Sequence, residues 1–309
     1  MKKSTYLMSS LALILILLAG CTEREEFPVF RGPYLGQKPP GLSAELFAPG
    51  IITTSSDEAY PSFTRDGRAF HYKCRDKGGW LYMEDDGGRW SDPQIVPFSQ
   101  AYAFGEAMIM PDGKTLLFCS QVGMKESEAP KNYNLWRMDK NNGQWQTPTP
   151  FGIQINTAYH EAYPSISFYG DLYFFRELDD DYGGCEIFVA RNDDDRWLTP
   201  TRLGSAVNSS RHDCDPFVAP NGRYLLFCVR DRDDGFGNND LYISYKQADG
   251  SWSKSFNMGK AYNTSAEEIT PYVTPDGRYI FFSSNRLGNY DIYWVDARIV
   301  DSLKPDAIR

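Results

Sequence analysis

Short apolar runs separated by turn residues occupy most of the chain, and they recur with a long period. Each repeat opens on an acidic residue, and successive acids lie 48, 55, 52 and 55 residues apart. The five acids are Glu58, Glu106, Glu161, Asp213 and Glu268. A turn follows each acid, and dipeptides such as Asn221-Gly222 favour tight hairpins because type I′ turns need positive φ. The pattern predicts a series of repeated β-hairpins.

Two further strands are predicted in each repeat. The third strand resembles Asp240-Leu241-Tyr242 and Asp291-Ile292-Tyr293. A fourth is predicted to begin at a tryptophan that precedes the next acid by sixteen residues. These tryptophans are Trp90, Trp145, Trp197 and Trp252. Four short antiparallel strands repeated around an axis predict an all-β fold, a five-bladed β-propeller of four-stranded blades.

The fifth repeat has no tryptophan strand, so its fourth strand must come from elsewhere. Residues 46–52 lie just before the first acid and resemble the fourth-strand segments of the other repeats. We therefore predict that this N-terminal strand closes the last blade, which would leave no open sheet edge between the two ends of the ring. The propeller domain is predicted over 43–309, with a short helical turn at 297–303.

The first residues have the pattern of a targeting segment. Lys2 and Lys3 precede an apolar run at 11–18 that is too short to span a bilayer comfortably. The sequence Leu18-Ala19-Gly20-Cys21 resembles the bacterial lipobox, which implies a signal peptide at 1–20 and a lipid anchor on Cys21. Residues 21–42 are rich in Pro and Gly and predict a flexible tether. Thr22 stands where inner-membrane lipoproteins typically have Asp, so the resemblance implies an exported protein anchored at the outer membrane.

The last repeat carries a recognisable set of motifs. Over 43–296 the chain resembles the TolB-type, WD-like β-propeller repeat family, whose pattern is an acid, a Pro, a Pro-Asp-Gly turn, a Ser-x-Arg strand end and an Asp-Ile-Tyr strand. The matching residues are Glu268, Pro271, Pro275-Asp276-Gly277-Arg278, Ser284-Asn285-Arg286 and Asp291-Ile292-Tyr293. The second repeat departs from it with Ile109 in place of the Pro, and the third with Tyr169-Gly170-Asp171 at the turn. The separate α/β domain and sixth blade of TolB are not visible, so a Tol-Pal role is not implied.

The repeated acids allow two interpretations. The chain has a net charge of −9 and a pI near 5.0, which argues against nucleic acid as a partner. In a propeller the five acids would lie around one mouth of the axial channel, where they could bind a cation or supply a general acid and base. Alternatively, each acid makes the same structural hydrogen bond to backbone amides or to an Arg at a strand end. A structural role calls for the same residue type in every repeat, whereas a catalytic role makes one repeat differ from the others. Because an acid occurs in all five repeats, we favour the structural interpretation.

Departures from the repeat are better candidates for chemistry. His160 and His212 precede the acids of adjacent repeats, and with those acids they could bind a divalent metal; two exposed loop histidines are the alternative. Five cysteines occur besides Cys21. A simple turn at Asn221-Gly222 would point Cys214 and Cys228 to opposite faces, so that only a β-bulge would allow a disulfide between them.

No nucleophile elbow, zinc-protease helix, P-loop or dinucleotide-binding motif occurs in the sequence, and no cofactor is predicted. The sequence favours a lipid-anchored binding or scaffold module that presents an acidic face to an envelope protein, a peptide or a glycan. Acid-rich loops at 177–186 and 231–240 would contribute to that face. The alternative is a propeller glycoside hydrolase or polysaccharide lyase that uses carboxylates at the channel mouth.

Overall fold

The computed structural model describes residues 30–123, 132–178, 184–194, 196–209 and 211–304. The predicted signal peptide and the lipidation site at Cys21 lie outside these residues. Five antiparallel blades are present, each built on four paired strands, so the predicted five-bladed all-β propeller is confirmed. Among the described residues, no helix has the length and apolar character needed to cross a membrane.

Each blade is formed by consecutive strands, with the last blade completed from the N-terminal side. The chain begins with β1 (Glu45–Leu46), and blade I follows with β2 (Glu58–Phe63), β3 (Ala69–Cys74), β4 (Gly79–Glu84) and β5 (Gln94–Ile95). Blade II contains β6 (Ala107–Ile109), β7 (Thr115–Ser120), β8 (Asn134–Asn141), β9 (Gln144–Trp145) and β10 (Thr149–Pro150), and blade III contains β11 (His160–Ile166), β12 (Leu172–Glu177), β13 (Cys185–Ala190), β14 (Asn192–Asp193), β15 (Arg196–Trp197) and β16 (Thr201–Arg202). Blade IV contains β17 (His212–Val218), β18 (Tyr224–Arg230), β19 (Asn239–Tyr245) and β20 (Phe256–Asn257), and blade V contains β21 (Glu268–Val273), β22 (Tyr279–Ser284) and β23 (Asp291–Asp296) together with β1.

The closure of the ring is confirmed. Strand β1 pairs antiparallel with β23, with Glu45 opposite Trp294 and Leu46 opposite Tyr293. Phe47 follows at once, is fully buried, and contacts the rings of Phe281 and Trp294. The two ends of the propeller are therefore joined by both backbone pairing and aromatic packing.

The fourth strands differ from the prediction in their position. Each begins four residues after its tryptophan, at Gln94, Thr149, Thr201 and Phe256. The tryptophans instead belong to short hairpins that extend the third strands, as where Trp145 pairs with Lys140. The aromatic residue marks the start of the fourth segment in sequence, but its ring packs at the end of the third strand.

The inner strands carry a β-bulge in four of the five blades. The register shifts at Tyr60-Pro61, Tyr163-Pro164, Asp215-Pro216 and Thr270-Pro271. Proline has no N–H to donate to the ladder, so an inner strand accommodates it at a bulge. The residue before each of these prolines has a positive φ of 50 to 58°. Blade II has Ile109 at this position and pairs without a shift.

Two segments outside the blades pack against the ring. Of the predicted tether, the structure describes the part from residue 30 onward. This part packs against the propeller. Tyr34 is buried, its N–H donates to Gly67 O over 3.1 Å, and its hydroxyl donates to Asp276. At the other end of the chain, the predicted helical turn is observed as α1 (Ile299–Leu303), to which Tyr245 is hydrogen-bonded.

Candidate ligand-binding site

The propeller has two faces. The acid face is the one on which the first strands begin, next to the five repeated acids. The turn face carries the turns between first and second strands. The glycines of those turns are Gly67, Gly113, Gly170, Gly222 and Gly277, all with positive φ.

Four of the five repeated acids have the same buried environment. In each, the carboxylate accepts hydrogen bonds from the backbone N–H and the hydroxyl of a Thr or Ser four residues earlier. The pairs are Thr54 with Glu58, Thr157 with Glu161, Ser209 with Asp213, and Thr264 with Glu268. All four acids are fully buried. We call this arrangement the carboxylate clamp; it fixes the loop that enters each blade and leaves no carboxylate free for a ligand.

Arginine completes the clamp in two blades. Arg176 donates to Glu161 over 2.8 Å, and Arg286 donates to Glu268 over 3.1 Å. In blade IV, Asp213 accepts hydrogen bonds from the backbone N–H and the hydroxyl of Ser209. Burial raises the pKa of Asp213 to about 7 and also raises the pKa of Glu161.

Glu106 breaks the repeat. Tyr102 occupies the position of the clamping Thr, so Glu106 is not clamped and is partly exposed. Its carboxylate accepts the N–H of Tyr163 over 2.8 Å. Burial, and secondly the charge of Asp215, raise the pKa of Glu106 to about 8. Asp215 accepts the N–H of Thr270, and burial raises its pKa to about 6. Glu106, just before β6, and Asp215, on β17, are therefore two carboxyl groups with different pKa values, and the charge of Asp215 acts on Glu106.

Aromatic side chains cross the axis beside these two acids. The rings of Tyr60 and Tyr163, from blades I and III, lie 6.3 Å apart. The Tyr163 hydroxyl donates to Pro271 O in blade V over 2.9 Å. These contacts obstruct the axis and separate the acid face from the turn face.

A large cavity opens on the turn face. Its volume is about 1260 Å³, and all five turns between first and second strands contribute to its wall. The turn residues are Arg65, Asp112, Tyr169, Asn221 and Asp276, and the inner-strand residues below them are Met108, Phe217 and Tyr272. The cavity extends outward between blades II and III, where Arg137 and Trp197 line it. Sequence reasoning directed attention to the acid face and missed this cavity.

The blade III turn gives the cavity its exposed aromatic groups. Phe168 and Tyr169 are 70% and 76% exposed. The Arg65 guanidinium lies 5.7 Å from the centroid of the Phe168 ring, within cation–π distance. Trp197 donates its indole N–H to Gly170 O over 3.0 Å, so that its ring is held against the same turn. Phe168 and Tyr169 together form a contiguous exposed aromatic patch, and such patches mark surfaces that bind a ligand or partner.

The sequence does contain a signal for this site. In the other four turns an Asp or Asn occupies the position of Tyr169 and accepts a backbone N–H two residues later. Those residues are Asp66, Asp112, Asn221 and Asp276. Blade III lacks this side-chain acceptor, and the Ser167 hydroxyl accepts the N–H of Asp171 instead. The departure at Tyr169 thus exchanges a turn-stabilising group for an exposed aromatic ring.

Charge in the cavity is unlike that of the chain as a whole. Among the described residues, neither Arg65 nor Arg223 has a carboxylate partner, whereas Arg137 is paired with Asp139 at 2.8 Å. The carboxylates of Asp112 and Asp276 accept hydrogen bonds within their own turns. The cavity therefore offers free guanidinium groups on a protein with a net charge of −9.

The acid-rich loop at 231–240 is largely paired within itself and its neighbours. Arg211 pairs with Asp233 at 2.9 Å, and Arg232 pairs with Asp234 at 3.0 Å. Asp240 accepts backbone N–H groups of its own loop. Residues 179–183 of the other predicted acidic loop lie outside the described part of the chain. The described acids of this face are thus mostly committed to internal contacts.

The two predicted metal-binding histidines have different surroundings. His160 accepts the N–H of Tyr133 on Nδ1 over 3.0 Å. His212 instead lies beside Cys185 and Cys214. The β-bulge at Asp215-Pro216 shifts the register from that of a simple turn, so Cys214 lies directly opposite Cys228. All five described cysteines are free thiols.

Comparison with known proteins identifies the fold. No protein-family model matches the chain, and no curated protein matches it. Among solved structures, a TolB protein from Agrobacterium tumefaciens is 16% identical, with a TM-score of 0.52 over 79% of this chain and 78% of that one. A GH43_12 protein from a capybara gut metagenome is 15% identical, with a TM-score of 0.51 over 84% of this chain and 53% of that one. At such identities the likeness concerns the propeller fold alone.

Proposed function

We propose that this protein is an exported, lipid-anchored β-propeller that binds a polymeric ligand, an envelope glycan or peptide, in the turn-face cavity. The observation that carries the proposal is the exposed Phe168-Tyr169 pair at the rim of a cavity of about 1260 Å³. That volume exceeds the range of roughly 300–1,000 Å³ typical of small-molecule pockets, which suits several units of a polymer. The acid face, favoured from sequence, has most of its carboxylates engaged in clamps and ion pairs.

The chemistry of the lining favours a ligand with negative groups. Arg65 and Arg223 offer guanidinium donors that can bind carboxylate or sulfate groups in a bidentate manner. Tyr169 and Trp197 offer flat apolar surfaces on which a sugar ring or a peptide side chain can pack. An acidic polysaccharide combines both features and is the ligand class we favour.

The anchor belongs to the same proposal. Phe30 lies nine positions after Cys21, and an extended chain of that length spans at most about 30 Å. The described chain begins on the turn face, because Phe30 O accepts the N–H of Trp90 and the next residues contact Gly67. A lipid on Cys21 would therefore hold the turn face within about 30 Å of the membrane surface. Cys21→Ser should shift the protein from the membrane fraction to the soluble fraction, and an intact-mass measurement would identify the missing acyl chains.

Binding can be tested with the full chain on arrays of acidic and neutral glycans and on acidic peptides. We expect wild type to retain an acidic glycan, and the Phe168→Ala/Tyr169→Ala double variant to bind about tenfold or more weakly, because it removes the exposed rings. Leu287→Ala is the matched control, since Leu287 is 64% exposed but lies on the acid face. Equal binding by the double variant and wild type would contradict the proposal. Loss of binding in Leu287→Ala would contradict the choice of face.

A second candidate function rests on Glu106 and Asp215. Two carboxyl groups with unequal pKa values can act as general acid and general base in glycoside hydrolysis. Glu106, with the higher pKa of about 8, would be the acid. This candidate predicts reducing-end release from a bound glycan that falls about 100-fold or more in Glu106→Gln, with the exposed-residue variant Asp86→Asn unchanged. No product from any glycan that binds would contradict it and would leave the binding proposal intact.

A further inference from the structure

A cluster of two thiols and an imidazole lies between blades III and IV. Cys185 begins β13 in blade III, and His212 and Cys214 lie on β17 in blade IV. One ligand atom from each of the three side chains lies within 4.8 Å of the other two. His212 and Cys214 are two residues apart on one strand, so their side chains point to the same face of the sheet. The inner strand of blade IV thus presents both residues toward the third strand of blade III.

The three residues are departures from the repeat. The position of Cys214 is Ala59, Ala107, Ala162 and Ile269 in the other blades. At the position of Cys185, the remaining blades have Gly79, Tyr133, Asn239 and Tyr290. Repeat symmetry therefore does not require this combination of residues at any of the three places. His160, the equivalent of His212 in blade III, has Tyr133 and Ala162 as its counterparts and no thiol.

The cluster contains groups with unused bonding capacity. The Nδ1 atom of His212 is buried and has no hydrogen-bond partner. Cys185 and Cys214 are buried, and Cys214 is within hydrogen-bonding reach of both Cys185 and Cys228. Cys228 in turn donates to Asp215 at 3.5 Å. A thiol is a weak hydrogen-bond donor and a weak acceptor, so these contacts satisfy the imidazole and the sulfurs poorly.

We propose that Cys185, His212 and Cys214 form a zinc-binding site that joins blades III and IV. Thiolate and imidazole are the ligands that Zn²⁺ prefers in proteins. A tetrahedral site with Zn–S of about 2.3 Å and Zn–N of about 2.0 Å separates its ligand atoms by roughly 3.5–3.8 Å. Side-chain movements of about 1 Å therefore complete the geometry from the spacing observed. A water molecule occupies the fourth position, since Cys228 donates to Asp215.

Charge balance favours a divalent ion. Each cysteine loses its thiol proton to solvent on binding, so two thiolates, one neutral imidazole and Zn²⁺ together carry no net charge. A neutral cluster is the form that a buried site accommodates at the lowest cost. His212 is only partly buried and gives the ion a route from the acid face.

The test uses the full chain, reduced and stripped of metal. Zinc titration against a chromophoric chelator should show one ion per chain, and saturating zinc at about 100 times Kd should raise the melting temperature by several degrees. Cys185→Ser, His212→Ala and Cys214→Ser should each weaken zinc binding about tenfold or more. Cobalt added as a probe should give thiolate-to-cobalt charge-transfer absorption in wild type, and this absorption should be about halved in Cys214→Ser and lost in the Cys185→Ser/Cys214→Ser double variant.

Two variants serve as matched controls. His160→Ala removes the equivalent histidine of blade III, and Cys74→Ser removes a buried thiol of blade I; both should bind zinc as wild type does. Circular dichroism without zinc should show that the ligand variants remain folded, since each replaces one side chain of the cluster. The proposal is overturned if reduced wild type binds no zinc, or if Cys185→Ser and Cys214→Ser bind it with unchanged affinity. It is also overturned if binding is lost in His160→Ala to the same extent as in His212→Ala.

Discussion

The backbone N–H of Tyr163 in blade III donates to the Glu106 carboxylate of blade II over 2.8 Å. The same relationship recurs two blades further on, where Thr270 of blade V donates to Asp215 of blade IV over 3.1 Å. In both places a carboxyl group satisfies the N–H of the residue that forms the bulge in the next blade. The bulges are therefore coupled to two acids that the clamp does not hold.

Glu106 should make stability depend on pH. Its pKa rises from 4.5 to about 8 on folding, mainly by burial. The folded state therefore holds a proton that the unfolded state has lost, and stability falls as pH rises from about 4.5 to about 8. Glu106→Gln removes this titration. We expect the melting temperature of the variant to exceed that of wild type by an amount that grows from about pH 5 to about pH 8.

Asp86→Asn is the control for this experiment, because Asp86 is an exposed carboxylate on blade I. Its melting curve should follow that of wild type at every pH. A constant difference between Glu106→Gln and wild type across the pH range would contradict the assignment of the titration to Glu106.

The carboxylate clamp should contribute to stability in each blade that has it. In blade V the Thr264 hydroxyl donates to Glu268 over 2.8 Å and also accepts the N–H of Ala266. Thr264→Val keeps the shape of the side chain but leaves a buried carboxylate with one donor fewer, which costs about 1–3 kcal/mol. Thr201→Val at an exposed position should change the free energy of unfolding by less than about 0.5 kcal/mol. Denaturant titrations give the free energy of unfolding of both variants. If the two variants lost similar amounts of it, the clamp would not be stabilising.

Closure of the ring should depend on Phe47. This fully buried ring contacts Phe63, Phe70, Phe281 and Trp294. Phe47→Ala should cost about 3–5 kcal/mol through lost burial and a cavity. Phe168→Ala, with the same change at an exposed turn, should leave the free energy of unfolding nearly unchanged. A difference between the two variants below about 1 kcal/mol would mean that the seam between blades I and V contributes little.

Much of the fold could be predicted from sequence because it repeats. The spacing of the acids, the Asp-Gly and Asn-Gly turns, and the absence of a fifth tryptophan strand together specified five blades and closure by an N-terminal strand, and the structure confirms them. The start of the fourth strand was misplaced by four residues because tryptophan, a strong strand former, lies in a side hairpin.

The site was harder to predict because it depends on contacts between blades. The prolines at positions 61, 164, 216 and 271 lie at the bulges of the structure, but the register change that brings Cys214 opposite Cys228 follows only from the three-dimensional pairing. Periodicity also could not show that Cys185 of blade III meets His212 of blade IV. The repeated acids drew attention by their charge, whereas the unpaired guanidiniums of the turn face come from unrelated positions in each blade.

The turn of blade III offers a test of whether Tyr169 is kept for binding at the expense of stability. Asn221 at the equivalent turn of blade IV accepts the N–H of Arg223 over 3.0 Å, which Tyr169 cannot do. Tyr169→Asn restores that acceptor and removes an exposed ring, so we expect a gain of about 0.5–1 kcal/mol in the free energy of unfolding. The same variant should bind the acidic glycan several-fold more weakly, because the aromatic surface is gone. The reciprocal change, Asn221→Tyr, should destabilise the blade IV turn by a similar amount and leave the Tyr169 ring in place. If Tyr169→Asn were both less stable than wild type and equal to it in glycan binding, the aromatic turn would be a structural feature of blade III, and the ligand site would have to lie elsewhere on the ring.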